Sequence, residues 1–251
     1  MSGHKITALV TGASAGLGAE FCRQLAKRCD VIIGVARRGD RLSALAQELE
    51  GQAEMHVVEA DLGTIEGVAR TVEALRQSGP VDYLVNNAGF TTLGNFEDQI
   101  IDGQLDMVKV HIDATITLCR AAIPFMRELG GGNIINVSSL SAFLPGPELA
   151  VYGASKAFLN HYSVGLQSEL AGSGIQVQAL CPGYTRTEFH STEAFSGFDR
   201  SRIPDEYWME SASVVSISLA ALEEDQVIVV PGEVNQLLAQ KGAQQQRDLL
   251  G

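Results

Sequence analysis

The 251-residue sequence is short of cysteine, of positive charge and of long apolar runs. Its four cysteines, Cys22, Cys29, Cys119 and Cys181, are scattered without C-x-x-C spacing. Neither a disulfide framework nor a zinc site is indicated; reduced thiols and no metal are expected. Eighteen Lys and Arg stand against thirty Asp and Glu, a net charge of −12, and no basic block is longer than Arg37-Arg38. That balance argues against nucleic acid or an anionic membrane as a partner. No apolar stretch approaches the ~20 residues needed to cross a bilayer. The first strand is expected to begin by Ile6, which leaves no room for a secretory leader and makes a cytoplasmic location the expectation. No Pro/Gly/Ser linker or internal repeat divides the chain, so one domain over 1–251 is expected.

What the sequence does have is alternation. Ile6–Val10, Val31–Ala36, Glu54–Val58, Tyr83–Asn86, Asn133–Val137, Gln176–Leu180 and Val227–Val230 are short runs rich in Val and Ile. Such runs suit strands buried on both faces of a parallel sheet. Between them, apolar residues such as Leu17, Phe21 and Leu25, or Val68, Val72 and Leu75, recur at helical spacing. The pattern predicts an α/β fold: a doubly wound, Rossmann-type, seven-stranded parallel sheet with helices on both faces. The tail, with Gln244-Gln245-Gln246, is expected to fray over about 240–251.

Directly after the first strand comes Thr11-Gly12-Ala13-Ser14-Ala15-Gly16-Leu17-Gly18, then a helical pattern. Glycines there permit a tight turn and a close backbone approach to a pyrophosphate, with the helix N-terminus facing the phosphates. A dinucleotide held by Gly12, Ser14, Ala15, Gly16, Leu17 and Gly18 is the expectation. The second strand ends Val35-Ala36-Arg37-Arg38, with no carboxylate for ribose hydroxyls. Two guanidiniums suit a 2′-phosphate, so Arg37 and Arg38 predict NADP(H), with NAD(H) as the other possibility.

Tyr152 and Lys156 are four residues apart, one above the other on a helix, and Ser139 precedes the tyrosine by thirteen positions. A cation beside the phenol is expected to lower its pKa from about 10 toward neutrality and make it a proton donor and acceptor.

Together these motifs resemble the short-chain dehydrogenase/reductase (SDR) family in its compact form, over nearly the whole chain from Thr11 to about Gly232. The glycine turn matches the family's TGxxxGxG. Asp61-Leu62 matches its acidic position near the adenine, and Asn86-Asn87-Ala88-Gly89 matches its NNAG, so Asn87, Ala88 and Gly89 border the cofactor. Pro182-Gly183-Tyr184-Thr185-Arg186-Thr187 matches the PGxxxT turn, which implies cofactor contacts at Pro182, Gly183, Thr185 and Thr187. Ser139, Tyr152 and Lys156 match the catalytic residues; Tyr152 and Lys156 also border the cofactor. One position departs: Val110-His111-Ile112-Asp113 puts His111 where the family carries an Asn thought to hold a water leading to the lysine. Either His111 serves the same proton relay or it packs; the relay is the expectation.

The resemblance implies hydride transfer between nicotinamide and a carbonyl or secondary alcohol. Tyr152 would exchange the proton and Ser139 would bond the substrate oxygen. A lid over about 188–209, with Phe189, Phe195, Phe198, Tyr207 and Trp208, together with Phe90, Phe143 and Leu144, suggests a bulky apolar ketone or aldehyde. Oxidation by the same residues, or a binding protein that senses NADP(H) without turnover, are the alternatives. The resemblance also implies a homodimer or homotetramer, for which Phe158, Leu159, Leu166 and Leu170 are a candidate face.

Overall fold

In the computed structural model, which describes residues 3–191 and 200–249, each expected strand forms. The order along the sheet is β3 (Glu54–Glu59), β2 (Val31–Ala36), β1 (Thr7–Thr11), β4 (Tyr83–Asn86), β5 (Gly132–Val137), β6 (Ile175–Leu180) and β9 (Ile228–Val229). All neighbours in it are parallel. A separate two-stranded ladder joins β7 (Thr185–Arg186) to β8 (Met209–Glu210). The chain is therefore a doubly wound, Rossmann-like fold.

Alternate strand residues point to opposite faces, and each face has its own apolar layer. Ala8, Val10, Ile32, Val85 and Ile135 pack against α1 (Gly16–Leu25), α2 (Gly39–Glu48) and α7 (Ser211–Ala221). Leu9, Ile33, Leu84, Ile134 and Val177 pack against α3 (Ile65–Ser78), α5 (Ala114–Leu129) and α6 (Ala150–Glu169). β1 and β2 are buried throughout, as strands covered on both faces must be, whereas edge strand β3 alternates toward solvent.

The direction of winding reverses between β1 and β4, which pair in register through Ala8–Tyr83, Leu9–Leu84 and Val10–Val85. In such sheets the crevice at the C-terminal ends of the two strands is where ligands bind.

One expectation needs correction. The tail does not fray from residue 240: α8 runs Glu233–Asp248, with Ala239 and Gly242 buried. A Cβ at Gly242 would collide with the Phe143 carbonyl oxygen, and Gln246 Nε2 donates to that oxygen at 3.1 Å. Polar composition hid this docking, because small and polar residues, Asn235, Ala239 and Gly242, form the buried face. Of the four residues offered as a subunit face, the core claims two, as a helix packed on the sheet requires: Leu159 on α6 and Leu170 just after it. Phe158 stacks on Tyr162 with ring centres 5.7 Å apart.

Candidate active site

The C-terminal ends of β1 and β4 are laced together. Thr11 Oγ1 accepts from the backbone N–H of Asn87 (2.9 Å) and Ala88 (3.0 Å), and Asn87 Nδ2 donates to Thr11 O at 2.9 Å. Gly12 turns the chain away at φ +65°; a Cβ there would sit 2.7 Å from Asn87 Nδ2 and 2.9 Å from Ala88 Cα. A Cβ at Gly18 would strike the Gly12 carbonyl. The glycine turn is thus as tight as its composition predicts. Ala15 occupies the N-cap of α1 with extended backbone and no side-chain cap, and the first turn holds no acidic residue. No side chain closes off this helix start.

Gly16 brings the turn against a second segment, since a Cβ there would lie 3.2 Å from Thr187 Cβ. That segment follows β6: Leu140 N donates to Pro182 O at 2.9 Å, and Thr185 Oγ1 to Gly183 O at 3.1 Å. Asp61 sits just past β3, where its carboxylate accepts from Gly63 N at 2.9 Å, while Leu62 is buried in the core. Leu17 also packs on the core; any role at a ligand falls to its backbone.

Arg38 leaves the end of β2 and donates through Nη2 to Ser14 Oγ (2.9 Å) and to Glu188 Oε1 (2.5 Å). Arg41 Nη1 reaches Glu188 Oε2 at 2.5 Å. Arg37 is exposed and outside this cluster. Arg41 and Glu188 are the members of this cluster that sequence reasoning passed over. Arg41 lies three positions after Arg38, the spacing of helix neighbours, a signal within reach; Glu188, 150 residues away, gave none.

The catalytic candidates also meet. Ser139 caps a short 3₁₀ turn, Leu140–Ala142, after β5, accepting from Ser141 N at 3.1 Å. Tyr152 and Lys156 stand on α6. The Lys156 Nζ lies 5.7 Å from the Tyr152 ring centre and donates to Val137 O at 2.9 Å. Phe189 approaches Tyr152 from the far segment, with ring centres 6.4 Å apart.

The expected lowering of the tyrosine pKa by lysine is not found here. Burial pushes Tyr152 upward, partly offset by a hydrogen bond with Ser139. Burial also brings Lys156 down to about 7. Both groups are driven toward their neutral forms, because desolvation penalises either charge.

His111 lies in a π-turn, Lys109–Asp113, between α4 (Ile101–Val108) and α5, and is buried. Such π-bulges re-aim side chains and often sit at functional sites. Its Nε2 accepts from Phe90 N at 3.2 Å, so Nδ1 carries the hydrogen and donates to Ser155 Oγ at 2.9 Å. Ser155 Oγ in turn donates to Tyr152 O at 2.7 Å. Burial first, and Lys156 second, hold the imidazole well below its ordinary pKa. A neutral imidazole has one donor and one acceptor, and both are used. Through these two bonds His111 ties the Phe90 loop to the tyrosine helix.

Among the expected apolar residues, Phe195 and Phe198 lie outside the described residues. Trp208 packs on Tyr184 (5.2 Å between ring centres) and His190 (5.1 Å). Ion pairs from Arg186 to Asp205 (2.7 Å) and Glu210 (3.2 Å) brace the same segment. No helix among the described residues is long and apolar enough to cross a membrane.

Residues 6–194 match the family model described as short chain dehydrogenase. An uncharacterized oxidoreductase of Staphylococcus epidermidis is 33% identical over 181 residues, 72% of this chain and 78% of its own. A short-chain dehydrogenase from Sphingobium yanoikuyae, solved in complex with NADPH, superposes with TM-score 0.84 at 33% identity, over 96% of this chain and 94% of that one. A bulky-bulky ketone specific alcohol dehydrogenase from Comamonas testosteroni does so with TM-score 0.81 at 29% identity, over 98% and 93%.

Proposed function

The chain belongs to the short chain dehydrogenase family and is an oxidoreductase of it; from that premise we propose that it reduces a bulky, apolar ketone or aldehyde with NADPH. The observation that carries this reading is the meeting of Ser139, Tyr152 and Lys156 beside the crevice where the sheet reverses direction.

The residues around that crevice suit a nicotinamide dinucleotide. Glycines 12, 16 and 18 leave a cradle that a Cβ would fill, and the uncapped start of α1 suits a pyrophosphate. Arg38, with Ser14 and Arg41, suits a 2′-phosphate better than a ribose hydroxyl. The NADPH held by the Sphingobium relative supports the same choice. Asn87, Ala88, Gly89 and the Pro182–Thr187 segment would line the rest of the cleft. NAD(H) would fit with its adenylate ribose less firmly held. When bound, the dinucleotide supplies or accepts the hydride.

The protein's own residues then manage one proton and one oxygen. Ser139 Oγ bonds the carbonyl oxygen and steadies the charge that develops there. Tyr152 delivers its phenolic proton to that oxygen. Burial brings Lys156 down to about 7, so it can exchange a proton near neutral pH as well as donate a hydrogen bond. His111 and Ser155 fix the helix that carries the tyrosine. Phe189 presents an apolar ring beside Tyr152, and Phe90 one beside His111. The substrate preference of the Comamonas relative supports a bulky ketone.

A panel of aliphatic and aryl ketones and aldehydes, followed by NADPH consumption at 340 nm, tests the reading. Turnover of bulky apolar ketones is expected; cofactor binding without consumption of any of them would replace the enzyme with a sensor.

A further inference from the structure

The cations read as the 2′-phosphate site already hold an anion from the chain itself. Glu188 Oε1 accepts from Arg38 and Oε2 from Arg41, and the same Arg38 nitrogen bonds Ser14 in the glycine turn. The carboxylate stands where a 2′-phosphate would be sought. All three charged side chains are about half exposed, at 43%, 47% and 40% for Arg38, Arg41 and Glu188. Exposed pairs of this kind are held weakly, so a stronger anion can open them.

We propose that Glu188 is a specificity-determining residue that reports which dinucleotide is bound: a 2′-phosphate displaces it from Arg38 and Arg41, and a 2′-hydroxyl does not. This rests on the NADP(H) reading above and deepens it. A phosphate monoester carries about −1.5 to −2 charge and three acceptor oxygens near neutral pH, against one charge and two oxygens for a carboxylate. It outcompetes Glu188 for two guanidiniums, and leaving Glu188 in place would set like charges side by side. A neutral ribose hydroxyl has no such claim; it can donate to Glu188 and leave the pairs closed.

The sequence makes the exchange consequential. Glu188 follows Thr187, which packs on Gly16, and precedes Phe189, whose ring lies 6.4 Å from that of Tyr152. Consecutive side chains thus connect the phosphate end of the cleft to its catalytic end. Releasing Glu188 loosens the adjoining Thr187–Phe189 stretch when NADPH binds, and NADH leaves it tied.

The test is direct titration of NADPH and of NADH into the full-length protein and its Glu188→Gln and Arg38→Ala variants, read by calorimetry. Glu188→Gln keeps the shape and removes the competing charge. It is expected to tighten NADPH by about fivefold with NADH unchanged. Hydrogen exchange supplies the second readout: amides of 188–191 should exchange faster with saturating NADPH than with NADH in the wild type, and alike in Glu188→Gln. Unchanged or weakened NADPH binding in Glu188→Gln, with Arg38→Ala still losing NADPH selectively, overturns the proposal and spares the cofactor reading. An unchanged NADPH-to-NADH ratio in Arg38→Ala overturns both.

Discussion

Lys156 Nζ stands 5.7 Å from the centre of the Tyr152 ring and donates to the Val137 carbonyl at 2.9 Å. The amine is held by the end of β5, beside the tyrosine ring. Burial then dominates the protonation of both groups, which leaves the lysine near neutrality and the tyrosine protonated. The proposed reduction draws on that state: the proton to be delivered is already on the oxygen that delivers it.

The lysine's position carries a stability penalty. Its unfolded pKa is about 10.4 and its folded value is depressed to about 7. Stability therefore falls as pH drops from about 10.5 toward 7, where the unfolded chain binds a proton that the folded one resists. Lys156→Met should abolish turnover yet raise Tm at pH 7 by roughly 3 °C. The gain should shrink toward pH 10.5. Thermal melts at pH 7 and pH 10 check the sign.

His111→Leu should lower stability by about 1–3 kcal/mol, because Phe90 N–H and Ser155 Oγ lose their partners. The folded imidazole titrates well below 6.5, so its contribution is complete above pH 6.5 and declines as pH falls below that value. The gap between wild type and variant in urea melts should accordingly narrow from pH 7.5 to pH 5.5. The shape of the kcat profile over pH 6–9 should be the same in both; a lost ionisation there would support the relay.

Arg38→Ala should weaken NADPH binding by about tenfold or more, through loss of one charge-assisted contact. NADH binding should change less than about twofold. Arg37→Ala, at an exposed position, should change neither by more than about twofold. KM for the two cofactors in the three proteins decides this.

The seven-stranded parallel sheet, the glycine turn and the clustering of Ser139, Tyr152 and Lys156 were legible in the sequence. Buried strands need Val and Ile runs, a tight turn needs Gly12 and Gly18, and i,i+4 spacing puts Tyr152 and Lys156 on one face of the helix. What was not legible depends on long-range packing. The neutral state of His111 follows from Phe90, Ser155 and burial, none of which its own neighbours in sequence announce. Arg38 and Arg41 find Glu188 only after the chain has crossed the sheet. The docking of α8 depends on what faces Gly242, and a glutamine-rich helix gives no periodic apolar stripe to predict it.

That docking can be probed at one atom. Gly242→Ala places a methyl against the Phe143 carbonyl, in the turn that follows Ser139. It should cost about 1–3 kcal/mol of stability, and guanidinium titration is the check. An unchanged midpoint would mean that α8 does not need this close approach.

The most direct measurement is single-turnover reduction of a bulky ketone by Tyr152→Phe, paired with NADPH titration of the same variant. Loss of the phenolic proton alone should slow reduction by about 10²–10⁴-fold and leave NADPH affinity within about twofold. Reduction at the wild-type rate would contradict the assignment of Tyr152 as proton donor, and with it the account of this cleft.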